Sequence, residues 1–420
     1  MAVPVAQSKT ATSASWRWGV VSLLVTAMII AYVARTNISV AMVVPEFKLL
    51  FHLSDADRGT LNSAFFWSYA FLQIPAGWIV DRYGVKYPYA FAFLAWSLVS
   101  AATALGSTLT ELIGLRFLLG VAESIVSPAG MRWIRFHFAE KERGLAIGIY
   151  MAGTKIGPAI GAPIAAWLIH LYDWRMMFVI LGLGSLVWLL PWLLAVRNDD
   201  RDIEKNEARF AAAPPVSIWT LLRGPIIWGT IVGTFCYMYF VYFCMTWMPA
   251  YFVERRHLSL TGMGLYTFFS FGGMAVMSAL GGWAADALIA RGWNSVKVRK
   301  GFTIAGFLIA STEVIGALSD SVPIALFFAV FSLTGLGLAT ANYWALTQTL
   351  IPGGAVGRIV GIQNCAANLP GIVAPVITGW LKQVTGSYEA PMQAIWFFLL
   401  LGIASYIFLV REKDSPPKLA

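Results

Sequence analysis

The chain has 420 residues, of which 58% are hydrophobic and 12% charged, with a formal net charge of +9. Soluble domains average roughly 25% charged residues, so a water-soluble fold is excluded, and a large soluble catalytic domain with it. At about 20 apolar residues per membrane crossing, this length holds about twelve spans on short connections.

The polar stretch 1–17, with Lys9 and Arg17, reads as a cytoplasmic tail. The apolar run behind it has no small-residue cleavage site before Arg35, so a retained first helix is expected. Apolar runs then predict spans near 18–44, 59–80, 86–108, 111–135, 144–170 and 174–196. The stretch 197–222 reads as a cytoplasmic linker, its part 197–215 mixing charges of both signs before an Ala/Pro run. Six further spans are predicted near 223–252, 261–290, 299–318, 322–350, 358–383 and 388–410, followed by a cytoplasmic tail at 411–420. With both termini cytoplasmic, 21 of the 30 Lys and Arg fall on the cytoplasmic side. Six lie outside (Lys48, Arg58, Arg175, Arg255, Arg256 and Lys382) and three lie within spans. The positive-inside rule favours this orientation and accounts for the basic excess without nucleic acid. Cys236, Cys244 and Cys365 sit in apolar runs with no metal-ligand spacing. There is no phosphate-binding Gly-x-x-x-x-Gly-Lys-Ser/Thr loop, no metal or cofactor constellation and no assembled nucleophile and base, so neither an ATP motor nor an enzyme is expected.

The two halves share a pattern. Gly77-Trp78-Ile79-Val80-Asp81 closes the second predicted span and Gly282-Trp283-Ala284-Ala285-Asp286 the eighth. Parallel repeats of this kind belong to transporters whose site lies between the halves near the midplane. The expected fold is an all-α polytopic membrane protein of twelve helices in two six-helix bundles, 18–196 and 223–410.

The segment from Gly77 through Asp81, Arg82 and Gly84 to Lys86 resembles the signature between spans two and three of the major facilitator superfamily. Several further segments are similar to the anion:cation symporter family, which includes bacterial galactonate, glucarate and hexuronate permeases and the animal transporter sialin. They are Tyr32-Val-Ala-Arg35-Thr-Asn37, Ser63 to Tyr69 with Gln73-Ile-Pro75, Gly114-Leu-Arg116 with Gly120 and Glu123, Asp173-Trp-Arg175, and Thr246-Trp247-Met-Pro249. In the signature loop, Asp81 and Arg82 read as a cytoplasmic gate, pairing with helix ends across the bundle interface. The alternative is that Arg82 and Lys86 only satisfy the positive-inside rule.

Five ionisable groups fall within spans: Arg35, Arg116, Glu123, Lys155 and Glu313. Each costs roughly 2.5–3.5 kcal/mol to insert and marks a pathway or a buried pair. Arg35, on one helical face with Tyr32 and Ser39, offers a planar fork for a substrate carboxylate. Its alternative role is a structural pair with Glu123. Glu123 lies two turns beyond Arg116, and a carboxyl torn between burial and a nearby arginine can take up and release a proton. It therefore reads as the coupling carboxylate with Arg116 as modulator, the alternative being a static buried pair. Lys155 admits three readings: a second anionic group of the substrate, a lysine that loses its proton, or a partner of Glu123. Glu313 reads as structural. The sugar-acid permeases usually carry an aspartate where this chain has Ala34, so the second proton site that the resemblance would supply has no carboxylate at this position.

Among neutral groups, Asn62, Tyr69 and Gln73 form one face of span two, and Tyr239, Tyr242 and Thr246 one face of span seven, ahead of Trp247. Asn364 and Asn368 stack in span eleven. Resemblance to galactonate permeases implies substrate contact at Tyr32, Tyr69 and Asn364, with Gln73 and Trp247 as further lining. The expected protein is a monomeric proton-coupled symporter of an organic carboxylate in a bacterial inner membrane. Competing expectations are an anion or organic phosphate exchanger and a transporter-like receptor.

Overall fold

The computed structural model describes residues 13–138, 140–199, 224–350 and 353–411. The expected terminal tails, apart from residues 13–17 and 411, and nearly all of the expected linker lie outside them. The N-terminal half comprises α1 (Ala14–Ala41), α2 (Pro45–Leu50), α3 (Asp55–Tyr83), α4 (Lys86–Ala102), α5 (Leu109–Glu123), α6 (Val126–His137), α7 (Glu140–Leu171), α8 (Trp174–Ser185) and α9 (Leu189–Ala195). The C-terminal half comprises α10 (Pro225–Thr246), α11 (Leu260–Ala290), α12 (Ser295–Ala310), α13 (Glu313–Leu318), α14 (Val322–Leu350), α15 (Gly353–Thr385) and α16 (Glu389–Phe408). Helix starts follow side-chain capping: Ser54 with Asp57 and Thr108 with Glu111 form reciprocal boxes, and Asp173, Ser259 and Asn294 cap α8, α11 and α12.

Among the described residues, nine helical stretches are long and apolar enough to cross a membrane. The predicted runs they leave out are α3, α5 with α6, and α15. These helices carry the polar groups Asn62, Gln73, Arg116, Glu123 and Asn364, which lower their apolarity.

Both halves repeat one packing scheme. In the first, α1 lies on α7, α3 on α5 and α4 on α8; in the second, α10 lies on α15, α11 on α14 and α12 on α16. The halves meet through α3 on α15 and α7 on α11. Small residues set these approaches, as in other membrane helix pairs. A Cβ on Gly59 would stand 2.5 Å from the Pro375 carbonyl oxygen, one on Gly379 would strike the Asp55 carbonyl, and one on Gly264 would stand 2.8 Å from Pro163 Cα. Within the first bundle Gly153, Gly157 and Gly161 seat α7 against Met28, Tyr32 and Val33 of α1.

Because the start of α3 meets the end of α15, chain direction puts the start of α1 and the end of α16 on one face of the molecule, the terminal face, where Trp16 bonds Ala195 at the end of α9 and Lys300 bonds the Val410 carbonyl. The loops carrying Asp55, Glu254 and Lys382 share the opposite, far face.

Candidate functional site

Span four is broken in its middle. Helix α5 ends at Glu123, Ser124 and Ile125 interrupt the regular ladder, and α6 begins at Val126. The break sets Glu123 against α1, where Arg35 Nε donates to Glu123 Oε2 at 2.7 Å. The two side chains are 1% and 0% exposed. The Arg35 guanidinium is sandwiched by rings, its Cζ 4.3 Å from the centroids of Tyr32 and Tyr69 and 4.7 Å from that of Phe65. Arg116 Nη1 and Nη2 donate to the Ala34 and Arg35 carbonyl oxygens at 3.3 and 3.4 Å, so it braces the helix that holds Arg35.

The pair is incompletely satisfied. Arg35 Nη1 and Nη2 and Glu123 Oε1 are buried without a hydrogen-bond partner, as are both polar atoms of Asn37. Buried donors and acceptors are rarely left so. The two unpartnered guanidinium nitrogens, flanked by aromatic rings, present the fork geometry that a carboxylate can accept from.

The structure brings Tyr32, Tyr69, Arg116 and Glu123 around Arg35. Tyr69 also exchanges a 3.3 Å hydrogen bond with Ser127 Oγ. Gln73 and Asn364 meet across the bundles, Asn364 Nδ2 donating to Gln73 Oε1 at 2.8 Å while Gln73 Nε2 stays unpartnered. Tyr242 donates to Asn368 Oδ1 at 3.4 Å and its ring packs edge-on against Phe66 of the other bundle. Lys155 lies on α7, its Nζ donating to Thr154 Oγ1 at 2.8 Å. Glu313 is apart, accepting from Ser332 Oγ at 2.5 Å inside the C-terminal bundle.

Two expected placements differ. Trp247 is not with Arg35: its indole N–H donates to the Pro375 carbonyl at 3.1 Å, and its ring lies under Arg58 and Lys382 at the far face. The Trp-Met-Pro sequence ends α10 there and hands over to a short helical turn and a π-turn, Tyr251–Arg255. Asp81 pairs with Arg132 of its own bundle at 2.5 Å rather than across the interface. The repeat preserves this, since Asp286 pairs with Arg299 of its own bundle at 2.8 Å. Arg82 is exposed, over Trp78 and Tyr83.

The far face holds a cross-bundle network in which three of the outer cations, Lys48, Arg58 and Lys382, meet acids that the sequence does not single out. Glu254 Oε1 receives Lys48 at 2.7 Å and Arg58 at 2.9 Å from the first bundle. Its Oε2 receives Lys382 at 3.0 Å and the Tyr388 hydroxyl at 2.8 Å from its own. Asp55 of the first bundle pairs with Lys382 at 2.7 Å, and Gln383 accepts from the Ala56 amide. Glu254 lies just beyond its span. Burial works to raise its pKa, but Arg58, Lys48 and Lys382 outweigh it and hold the carboxyl at about 2. The only local signal was the opposite sign of Glu254 among those cations.

The Major Facilitator Superfamily model matches residues 24–375. The chain belongs to that superfamily. It is a multi-pass membrane transporter rather than an enzyme. Among curated relatives it is 29% identical over 406 residues to the D-galactonate transporter of Escherichia coli O6:H1, covering 92% of this chain and 93% of the relative. It is 27% identical to the hexuronate transporter of Bacillus subtilis, covering 93% and 92%. A bacterial homologue of the human lysosomal transporter Spinster shares the fold with a TM-score of 0.81 at 18% identity, covering 97% of this superfamily member and all of that chain.

Proposed function

We propose that this transporter is a proton-coupled symporter importing an organic carboxylate, in the sugar-acid class that its relatives' names specify. The observation that carries the reading is the buried Arg35–Glu123 pair with two guanidinium N–H groups and one carboxylate oxygen unpartnered. The substrate carboxylate takes the Arg35 Nη1 and Nη2 groups. Its negative charge beside Glu123 favours protonation of that acid, and protonation frees Arg35 Nε for the substrate as well. Proton and substrate are thus bound together and released together.

The terminal face is read as cytoplasmic from the distribution of Lys and Arg, as for a bacterial inner-membrane protein. The far face is then the outer one, held shut by the Glu254 network, and substrate entry requires that network to part. The two bundles rock about the midplane site, and Tyr69, Gln73 and Asn364 line the path between them. One chain contains the whole pathway, so a monomer suffices.

The test is uptake into liposomes containing the purified protein, with an inward proton gradient and internal pH recorded. Gradient-driven accumulation of a sugar acid with matching proton entry supports symport. Exchange against preloaded anion with no response to the gradient would replace it with an antiporter.

A further inference from the structure

Lys155 is the mid-span cation that the carboxylate socket does not use. Its Nζ has one hydrogen bond, to the neighbouring Thr154, and among the described residues no carboxylate pairs with it. Its direction follows from the helix period. Lys155, Ala159, Ala162 and Ala166 recur at four, three and four residues and share one face of α7. The three alanines are buried, whereas Ile164 and Trp167, on the opposite face, are 38% and 58% exposed and face outward toward lipid. Lys155 therefore points to the interior between the bundles. It is half-buried there, nearer the terminal face than the three closed-over alanines.

Its height relative to Arg35 also follows. Gly157, two residues on, packs against Tyr32, which lies three residues before Arg35. At about 1.5 Å per residue the Cα atoms of Lys155 and Arg35 are offset by roughly 7–8 Å along the bundle axis. Two cations at different heights in the interior suit a ligand with two separated anionic groups. Charge balance agrees. Arg35, Arg116 and Lys155 against Glu123 leave two positive charges in the interior of the N-terminal bundle, and a low-dielectric interior favours a ligand that neutralises them.

Resting on the symport reading above, we propose that Lys155 is a second anion-binding residue and that the substrate class is organic dianions, with one carboxylate on Arg35 and a second anionic group on Lys155. The lysine then sets specificity, because an acid with a neutral hydroxyl at its far end leaves the ammonium unpaired.

The test uses galactarate and galactonate, which differ only in a terminal carboxylate against a terminal hydroxymethyl group. Uptake of each is measured in liposomes holding the wild-type protein, Lys155→Gln and Lys155→Arg. The wild type is expected to take galactarate with a KM at least about tenfold lower, the scale of one charge-assisted contact. Lys155→Gln is expected to remove that preference by raising the galactarate KM while leaving galactonate within about twofold, and Lys155→Arg to restore it. A wild-type preference for galactonate, or a galactarate preference unchanged in Lys155→Gln, overturns the assignment while leaving symport intact. If neither acid is taken up and a panel of other mono- and dianionic acids is not either, the symport reading itself falls. Should Lys155→Gln not fold, the wild-type ratio and Lys155→Arg still decide.

Discussion

Arg58 of the N-terminal bundle lies 2.9 Å from Glu254 of the C-terminal bundle, and this contact joins the two halves at the far face. Around it Lys48, Asp55, Lys382 and Tyr388 complete a network whose hub is the single Glu254 carboxylate. Glu254→Gln removes that charge and leaves three cations facing one acid, Asp55. Breaking a largely buried pair from one side costs about 3–5 kcal/mol; here solvent screening reduces that, because Glu254 is 19% exposed. The expected outcome is a shift of at least about tenfold toward far-face-open molecules. Spin labels at Ser107 and Thr385, one on each bundle, would read it as a longer distance population. An unchanged distribution would remove the network from gating.

The same carboxyl sets an acid limit. In the closed state three cations hold the Glu254 pKa at about 2, and on opening it returns toward the ordinary value of about 4.3. A pKa lowered in the closed state stabilises closure fully above the ordinary value, and this contribution is lost as pH falls toward 2. The label distances should therefore be flat from about pH 8 to pH 5 and should lengthen below about pH 4. Glu254→Gln should abolish that acid limb.

Closure also depends on close backbone approach. Gly59→Ala would put a methyl group 2.5 Å from the Pro375 carbonyl oxygen, so α3 and α15 must separate. The far face should open in this variant too, but with the acid limb retained because Glu254 is intact. Combining the label distances with a pH series separates the two causes.

At the midplane, Arg35→Ala should reduce uptake and counterflow by about two orders of magnitude, because a desolvated carboxylate loses its fork. Glu123→Gln should behave differently. Counterflow between equal substrate pools should persist, while accumulation driven by a proton gradient and its pH dependence should disappear. Loss of counterflow as well would make Glu123 a structural member of the site and not the coupling group.

The dianion assignment has an electrical consequence. One proton with a dianion carries a net charge of −1, so an inside-positive potential should accelerate galactarate uptake, at about 2.3 kcal/mol per 100 mV. Galactonate uptake with one proton should ignore the potential. Valinomycin and potassium gradients in the same liposomes measure both.

Much was legible in the sequence because it is local chemistry. Apolar runs, the cost of a charge in hydrocarbon and the basic bias between loops are properties of each segment by itself, and they led to the membrane class, the helical runs and the repeated halves. The same cost singles out Arg35, Arg116, Glu123, Lys155 and Glu313, of which Glu313 lies apart inside the C-terminal bundle. Tertiary structure decided the partners. Arg35 meets Glu123 across 88 residues, Lys48 meets Glu254 across 206, and Asp55 meets Lys382 across 327. No period or spacing encodes such contacts. At the far face the close approach of α3 and α15 at Gly59 and Gly379 brings Asp55 to Lys382 and seats Trp247 beside Gly379, while Asp81 pairs inside its own bundle.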